Sequence, residues 1–169
     1  MGSLALAPAI GRDALRGRYQ EQDSPQTLAE GLAEYYALNA AQVRRPQSLP
    51  AESAQLFRSH DICHVIFGLG VSLADEAMAD TRTLVSCDVG WRRYGRYGRY
   101  LAGDPQAKAI FAQTGYLTVA WATVRALPRL SRAIIAAWRK RKPWPWLPPD
   151  DHFTRPLADL RREYGIRVL

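Results

Sequence analysis

The chain has 169 residues, 47% of them hydrophobic, so it can bury one hydrophobic core but is too short for two ordinary domains. Its 23 lysines and arginines exceed its 16 aspartates and glutamates, and the formal net charge of +7 favours partners that carry phosphate or anionic lipid. The two cysteines, Cys63 and Cys87, form no C-x-x-C pair, which argues against a disulfide framework or a thiolate zinc site. We therefore predict one domain, residues 1–169, in a reducing compartment.

The first half of the chain predicts helices separated by short breaks. Ser24–Val43 begins with a Ser-Pro pair that suits a helix N-terminus and then repeats apolar residues at helical spacing. Glu52–Phe67 predicts a second helix, which Gly68-Leu69-Gly70 interrupts, and Leu73–Val89 predicts a third. The glycines of Gly90–Gly103 predict a looser region.

The second half predicts a long apolar helix over Pro105–Arg141, kinked at Pro128 because proline cannot donate a backbone hydrogen bond. Four prolines exclude regular helix from Pro143–Asp150, and Pro156–Tyr164 predicts a final helix that Gly165 ends. Few segments alternate with a period of two residues. The predicted fold class is therefore all-α, a single compact helical domain with a kinked long apolar helix.

No segment predicts a signal peptide or a membrane span. Met1–Ile10 lacks a basic n-region, and Pro8 interrupts its apolar run. The longest uncharged stretch, Ala109–Val124, has 16 residues, whereas a spanning helix needs roughly 20 apolar residues. We expect a protein that can lie on a membrane without crossing it.

Two histidines and two carboxylates have the spacing of a metal site. On a helix, His60 and His64 lie one turn apart on the same face, so both imidazoles can bind one ion. Asp61 lies about 100° around that helix, from where its carboxylate can reach the ion or orient a ligand. On a straight helix Glu76 would lie roughly 18 Å from His64. A turn at Gly68–Gly70 would instead return Glu76 on a second helix that faces the first.

Other interpretations of the same residues remain open at this point. Two histidines at this spacing also fit a pair at a helix surface with no ion. A metalloprotease of the H-E-x-x-H kind needs a glutamate where this chain has the shorter Asp61. A phosphohydrolase with an H…HD…D arrangement needs a histidine upstream of His60, and the chain has none. No serine or cysteine stands in a recognisable nucleophile context.

The metal motif resembles the signature of the Coq-four family of ubiquinone (coenzyme Q) biosynthesis proteins, which is H-D-x-x-H, eleven residues, then E. It is matched here at His60, Asp61, His64 and Glu76. The C-terminal segment is similar to the family's P-L-x-x-x-R-x-x-x-G-I ending at Pro156-Leu157, Arg161 and Gly165-Ile166. The similarity covers about 57–88 and 152–166. It implies that the four matched residues bind one divalent ion and that Asp61 and Glu76 are the catalytic carboxylates.

The resemblance also implies an activity. Members of the family are implicated in removing the carboxyl group from carbon one of the polyprenylated benzoquinone precursor, with oxygen installed at that carbon. Zinc is the expected ion, and iron(II) or manganese suit the same nitrogen and oxygen ligands. The alternative is a non-catalytic scaffold of the ubiquinone biosynthetic complex that binds polyprenyl lipid and holds a structural metal. The expected partners are the quinone precursor and other ubiquinone biosynthesis proteins.

Basic and aromatic residues predict contact with an anionic membrane surface. Arginines recur on one face of the long apolar helix, and a cationic cluster and two indoles follow it, at Arg139–Lys142 and Trp144-Pro145-Trp146. A core helix with a solvated arginine face is the alternative. The Gly-Arg-Tyr steps of Trp91–Tyr100 either face lipid headgroups or form a solvated loop. We do not expect nucleic-acid binding, because no known binding motif is present.

The location implied is cytoplasmic and peripheral on the inner membrane of a bacterium, or on the matrix face of the mitochondrial inner membrane. His152, in Asp150-Asp151-His152, is predicted to be a surface or loop histidine.

Overall fold

The structure is a computed structural model that describes residues 16–43, 51–103, 124, 127–135, 137 and 142–168. Within these residues the chain forms helices and no β-strand, which confirms the all-α prediction. Two isolated β-bridges join loops, one between Thr27 and Pro156 and one between Cys87 and Trp144. The N-terminal stretch 1–10 and the basic cluster 139–141 lie outside the described residues.

The first α-helix, α1, spans Leu28–Leu38 and begins later than the Ser-Pro pair predicted. Thr27 is its N-cap: the Thr27 hydroxyl accepts a hydrogen bond from the Glu30 amide, and the Glu30 carboxylate accepts one from the Thr27 amide. This capping box satisfies two backbone donors at once, so it fixes the helix start more strongly than a proline at Pro25 would. The buried residues Leu28, Leu32 and Tyr35 then turn one face of α1 toward the core.

The central helix hairpin consists of α2, Ala51–Phe67, and α3, Leu73–Ser86, and both were predicted from the sequence. All residues from 59 to 69 are buried, so the second half of α2 lies at the centre of the fold. The break falls where the glycines predict it. Gly68 has φ of +68°, a left-handed conformation that suits glycine, and Ser72 caps the start of α3.

Gly90–Gly103 forms a helix, α4, so the prediction of a looser region was wrong. An added Cβ at Gly95 or Gly98 would meet no atom within 4 Å, so these glycines lie on an open face. Each glycine costs a helix only about 1 kcal/mol relative to alanine. Packing of the half-buried Tyr94 against the core offsets part of that cost. The exposed arginines of α4 are Arg92, Arg93, Arg96 and Arg99.

Residues 127–135 are helical, in agreement with part of the predicted long apolar helix. Ala133 is buried and Leu130 packs against the core, whereas Leu127 and Ile135 are about half exposed. Most of the rest of Pro105–Arg141 lies outside the described residues, and the kink at Pro128 stays a prediction. Over the described part of the chain, no helix combines the length and apolar character that a membrane span requires.

The segment after this helix is irregular, as its prolines predict, but its indoles are not at the surface. Trp144 and Trp146 are each only 1% exposed. The Trp144 backbone bonds to Ser86 and Asp88, and the Trp146 amide donates to the Asp88 carboxylate at 2.6 Å. The prediction that these two indoles anchor the protein in a membrane surface is therefore wrong, because both are packed in the core.

The chain ends in a 3-10 helix, Asp150–Thr154, and a last α-helix, α5, Leu157–Tyr164. Gly165 ends α5 in the left-handed conformation, with φ of +63°, as predicted. Arg161 of α5 is fully buried, and its guanidinium donates to backbone carbonyl oxygens of Tyr19, Glu21, Gln22, Val65 and Ile66. Since the last carbonyls of a helix have no partner within it, Arg161 caps α2 immediately after His64.

Candidate metal centre

The hairpin brings three of the predicted ligands together. His60 and His64 project from one face of α2, with ring centroids 4.7 Å apart, and Glu76 faces them from α3. One ligand atom from each of the three side chains lies within 4.8 Å of the other two. The turn at Gly68–Gly70 therefore brings Glu76 opposite the two histidines, as the sequence predicts.

His64 is held in one tautomer. Its Nδ1 lies 2.7 Å from the Gly70 carbonyl oxygen, and because a carbonyl can only accept, Nδ1 carries the hydrogen and donates it. The ring also stacks on Tyr35 at a centroid distance of 5.4 Å. Its other nitrogen, Nε2, is buried and makes no hydrogen bond within the described part of the chain. A histidine that ligates a metal commonly donates its second nitrogen to a backbone carbonyl in this way.

Charge couples His64 to Glu76, whose Oε2 lies 3.5 Å from His64 Nε2. Burial would lower the pKa of His64, but the carboxylates of Glu76 and Asp61 raise it to about 9. Burial would likewise raise the pKa of Glu76, and the His64 and His60 imidazoles lower it instead. Without an ion, the pair is therefore an imidazolium and a carboxylate. A divalent cation would take the place of the proton.

Asp61, the fourth predicted ligand, does not join this group. Its Oδ2 accepts a hydrogen bond of 2.8 Å from the Tyr36 hydroxyl of α1. Burial raises the pKa of Asp61 to about 6, although His60 and the Tyr36 hydroxyl act in the opposite direction. The structure therefore places Asp61 beside the two histidines and on the α1 side of α2, next to the site.

A carboxylate that the sequence analysis did not single out faces the site from α3. Asp80 Oδ1 lies 3.4 Å from His60 Nε2, and the Tyr94 hydroxyl of α4 donates to the same carboxylate. Burial and this carboxylate together raise the pKa of Tyr94. Asp80 follows Glu76 by four residues, so the two project from one face of α3. That spacing was visible in the sequence once Glu76 was a candidate.

The site is closed on one side and open on the other. The side chains of His60 and His64 are 6% and 0% exposed, whereas those of Glu76 and Asp80 are each 42% exposed. The imidazoles thus lie under the protein surface and the carboxylates at its edge. A molecule from solvent would approach along α3.

His152, by contrast, lies apart from this group and is buried, so the prediction of a surface or loop histidine was wrong. It stands in the 3-10 helix and is 7% exposed. Its Nε2 shares a hydrogen bond of 2.8 Å with the Tyr164 hydroxyl, and its Nδ1 lies 2.9 Å from the Asp151 carboxylate. Both nitrogens have protein partners, which makes His152 part of the core.

The three clustered residues fit a divalent metal. Two imidazoles and a carboxylate are ligands that zinc, iron(II) and manganese accept, and His64 Nε2 would present its lone pair to an ion that displaces its proton. The group can therefore hold an ion through His60, His64 and Glu76. Comparison with known proteins adds no assignment: no protein-family model, no curated protein and no solved structure matches this chain.

Proposed function

We propose that this chain is a metal-dependent protein of ubiquinone biosynthesis, as in the Coq-four family that its motifs resemble. In this proposal it acts in the oxidative removal of the carboxyl group at carbon one of the polyprenylated benzoquinone precursor. The observation that carries the proposal is the group of His60, His64 and Glu76, whose ligand atoms lie within 4.8 Å of one another and in which the buried His64 Nε2 lies 3.5 Å from the Glu76 carboxylate.

In this proposal the residues around the site have three roles: they bind the ion, orient a ligand or act as a catalytic carboxylate. His60, His64 and Glu76 hold the ion, and the Gly70 carbonyl keeps the His64 ring in the tautomer that presents Nε2. The ion, zinc or else iron(II) or manganese, would supply positive charge that stabilises negative charge developing on a ring oxygen. Asp61, held by Tyr36, is the second catalytic carboxylate that the resemblance implies.

The exposure of the site favours an enzyme over a scaffold with a structural ion. Structural zinc sites are closed by four protein ligands, whereas catalytic sites keep a position for water or substrate. Here the carboxylate edge of the site is open to solvent at Glu76, so water or substrate could reach the ion, which can expand to five-coordinate if a fourth protein ligand joins it. A scaffold needs no such opening, because nothing has to reach its ion.

A peripheral place on an anionic membrane is part of the proposal. A polyprenyl substrate resides in the bilayer, so its enzyme must meet it at that surface. Exposed apolar residues on the 127–135 helix and its flank support this contact, namely Val124, Leu127 and Ile135. The arginines of α4 are the basic residues that would approach anionic headgroups, each worth roughly 1 kcal/mol near the surface.

Metal content tests the first half of the proposal. The purified protein is expected to carry close to one divalent ion per chain, and His60→Ala or His64→Ala to lose it, because few other ligands are available. Elemental analysis measures this directly. A stoichiometric ion that survives in the double variant would place the metal elsewhere.

Genetic rescue tests the second half. In a host that lacks its own family member, the wild-type chain should restore ubiquinone or lower the accumulated carboxylated precursor, and Glu76→Gln should not. Glu76→Gln keeps the size and hydrogen bonding of the side chain while it removes the charge. The matched control is Glu21→Gln, which removes an exposed carboxylate ahead of α1. Full rescue by folded Glu76→Gln protein would favour the scaffold.

Vesicle binding tests the membrane contact separately. The protein should sediment with vesicles that contain phosphatidylglycerol and be released by salt, because screening acts over about 10 Å at 0.1 M. Replacement of Arg92, Arg93 and Arg99 by glutamine should weaken this binding. Equal sedimentation of the variant and the wild-type protein would remove α4 from the contact surface.

A further inference from the structure

We propose that Asp80 supplies the second carboxylate of the metal centre, in the place that the family motif gives to Asp61. This inference rests on the proposed function, because it presumes that the His60, His64 and Glu76 group holds an ion. It concerns a residue outside the H-D-x-x-H motif, and it follows from how α2 and α3 pair.

The pairing of the helices matches residue to residue. His60 and His64 are four residues apart on α2, and Glu76 and Asp80 are four residues apart on α3. His64 pairs with Glu76 and His60 pairs with Asp80, so the helices run antiparallel and each turn of one meets a turn of the other. Two equivalent imidazole and carboxylate pairs therefore face each other across the hairpin.

The two distances are those expected of ligands that share an ion. The His60 Nε2 to Asp80 Oδ1 distance is 3.4 Å, and the His64 Nε2 to Glu76 Oε2 distance is 3.5 Å. Both exceed the usual 2.7–3.2 Å of a nitrogen to oxygen hydrogen bond. Two ligand atoms that each lie about 2.1 Å from one tetrahedral ion are about 3.4 Å apart. The metal-free side chains already approach that spacing.

Asp80 also has the freedom and the support that a ligand needs. It lies beside His60 at the edge of the group formed by His60, His64 and Glu76, and its side chain is 42% exposed, so it is free to rotate toward an ion held there. The Tyr94 hydroxyl donates to its carboxylate, as outer partners commonly do for ligating carboxylates. Asp61 lies beside the histidines but instead accepts a hydrogen bond from the Tyr36 hydroxyl of α1.

Charge favours the second carboxylate as well. A divalent ion held by two neutral imidazoles and Glu76 alone keeps one net positive charge at a partly buried site. Asp80 would neutralise it, whereas Asp61 is already buried and hydrogen-bonded on the α1 side. A buried or partly buried charge is costly unless it is paired.

The experiment compares four proteins in metal binding alone. Metal-free wild-type protein, Asp80→Asn, Asp61→Asn and Asp75→Asn are titrated with cobalt(II) and zinc(II) against a chelator, and the visible spectrum of the cobalt form is recorded. Asp75→Asn is the charge-matched control, because it removes a carboxylate from the same helix. We expect Asp80→Asn to weaken binding at least about tenfold and to change the cobalt spectrum. Asp61→Asn and Asp75→Asn should stay within about threefold of the wild-type protein and keep its spectrum.

The outcomes separate the two proposals. Wild-type affinity and spectrum in Asp80→Asn, with a loss in Asp61→Asn, would overturn the assignment of Asp80 and leave the metal centre standing. Failure of the wild-type protein to bind either ion would overturn the metal centre itself. Asp80→Glu guards against a folding defect, because it restores a carboxylate and should recover most of the affinity if Asp80 is a ligand.

Discussion

Two of the buried histidines, His64 and His152, differ in how their nitrogens are used. Both lie beside aromatic rings, His64 against Tyr35 and His152 against Trp144. His152 has a protein partner on each nitrogen, whereas His64 has one on Nδ1 and leaves Nε2 facing Glu76. A buried polar atom without a hydrogen bond costs about 1–3 kcal/mol. His64 Nε2 is therefore available to an ion that displaces its proton, whereas both nitrogens of His152 are engaged by hydrogen-bond partners.

Like His152, the buried Arg161 has hydrogen-bond partners for its side-chain nitrogens, and its removal is expected to cause the largest loss of stability. Arg161→Ala should reduce the free energy of unfolding by at least about 3 kcal/mol, because it leaves the buried carbonyls of Tyr19 and Ile66 without their donor. Urea unfolding measures the loss. The control is Arg162→Ala, whose exposed side chain pairs with the exposed Asp159 and should change stability by less than about 1 kcal/mol. Equal effects of the two variants would show that Arg161 does not cap α2.

Replacement by alanine should have different effects at the two histidines. His64→Ala should weaken metal binding by at least about 100-fold, since it removes a ligand. His152→Ala should keep the ion and lose about 2 kcal/mol of stability, since it removes two hydrogen bonds. Metal analysis and urea unfolding of both variants give the cross-comparison. Metal loss in His152→Ala at wild-type stability would contradict it.

Of these two histidines, we expect His64 to make metal binding depend on pH. Because the carboxylates raise the pKa of His64 to about 9, an ion must displace a proton below that pH. Metal affinity should therefore rise about tenfold, or 1.4 kcal/mol, for each pH unit from 6.5 to 9 and level off above it. The sign for the metal-free protein is opposite: a raised pKa contributes stability that is complete below 6.5 and lost as the pH climbs through 9. Chelator competition and urea unfolding across this range measure both trends.

The smallest effect concerns a surface cluster that holds α5. Hydrogen bonds from Lys142 and Arg155 lower the pKa of Glu163 to about 2. A lowered pKa contributes stability above 4.5 that is lost as the pH falls toward 2. Glu163→Gln should thus be slightly less stable than the wild-type protein at pH 6 and equal to it near pH 2. Urea midpoints at the two pH values decide this, and a constant difference would exclude the carboxylate as its source.

The sequence was most informative where one spacing determines the geometry. His60 and His64 lie on one helix face by periodicity alone, and the glycines at 68–70 were enough to bring Glu76 opposite them. Asp80 was missed because no motif contains it, although its offset of four residues from Glu76 is the same signal. Thr27 and Glu30 have the spacing of a capping box, but the helix start was predicted from the nearby Ser-Pro pair instead.

Tertiary contacts decided what local patterns could not. The glycines of α4 indicate a loop in isolation, whereas the segment is a helix that packs Tyr94 against the core. Two indoles beside a cationic cluster predict a membrane anchor from the sequence alone. In the structure both indoles are buried, and Trp144 is joined to Cys87 by a β-bridge. His152 was predicted to be exposed because it follows two aspartates and its partner Tyr164 lies twelve residues further along the chain.

The hydrogen bond from His64 to Gly70 has a consequence for the entropy of metal capture. Its ring is fixed between Tyr35 and the carbonyl before an ion arrives, so binding loses little side-chain freedom there. The half-exposed carboxylates of α3 still have rotamers to lose, at about 0.5–1.5 kcal/mol each. The His64 imidazole is thus rigid before the ion binds. Most of the side-chain entropy that is lost on binding is lost by the carboxylates of α3.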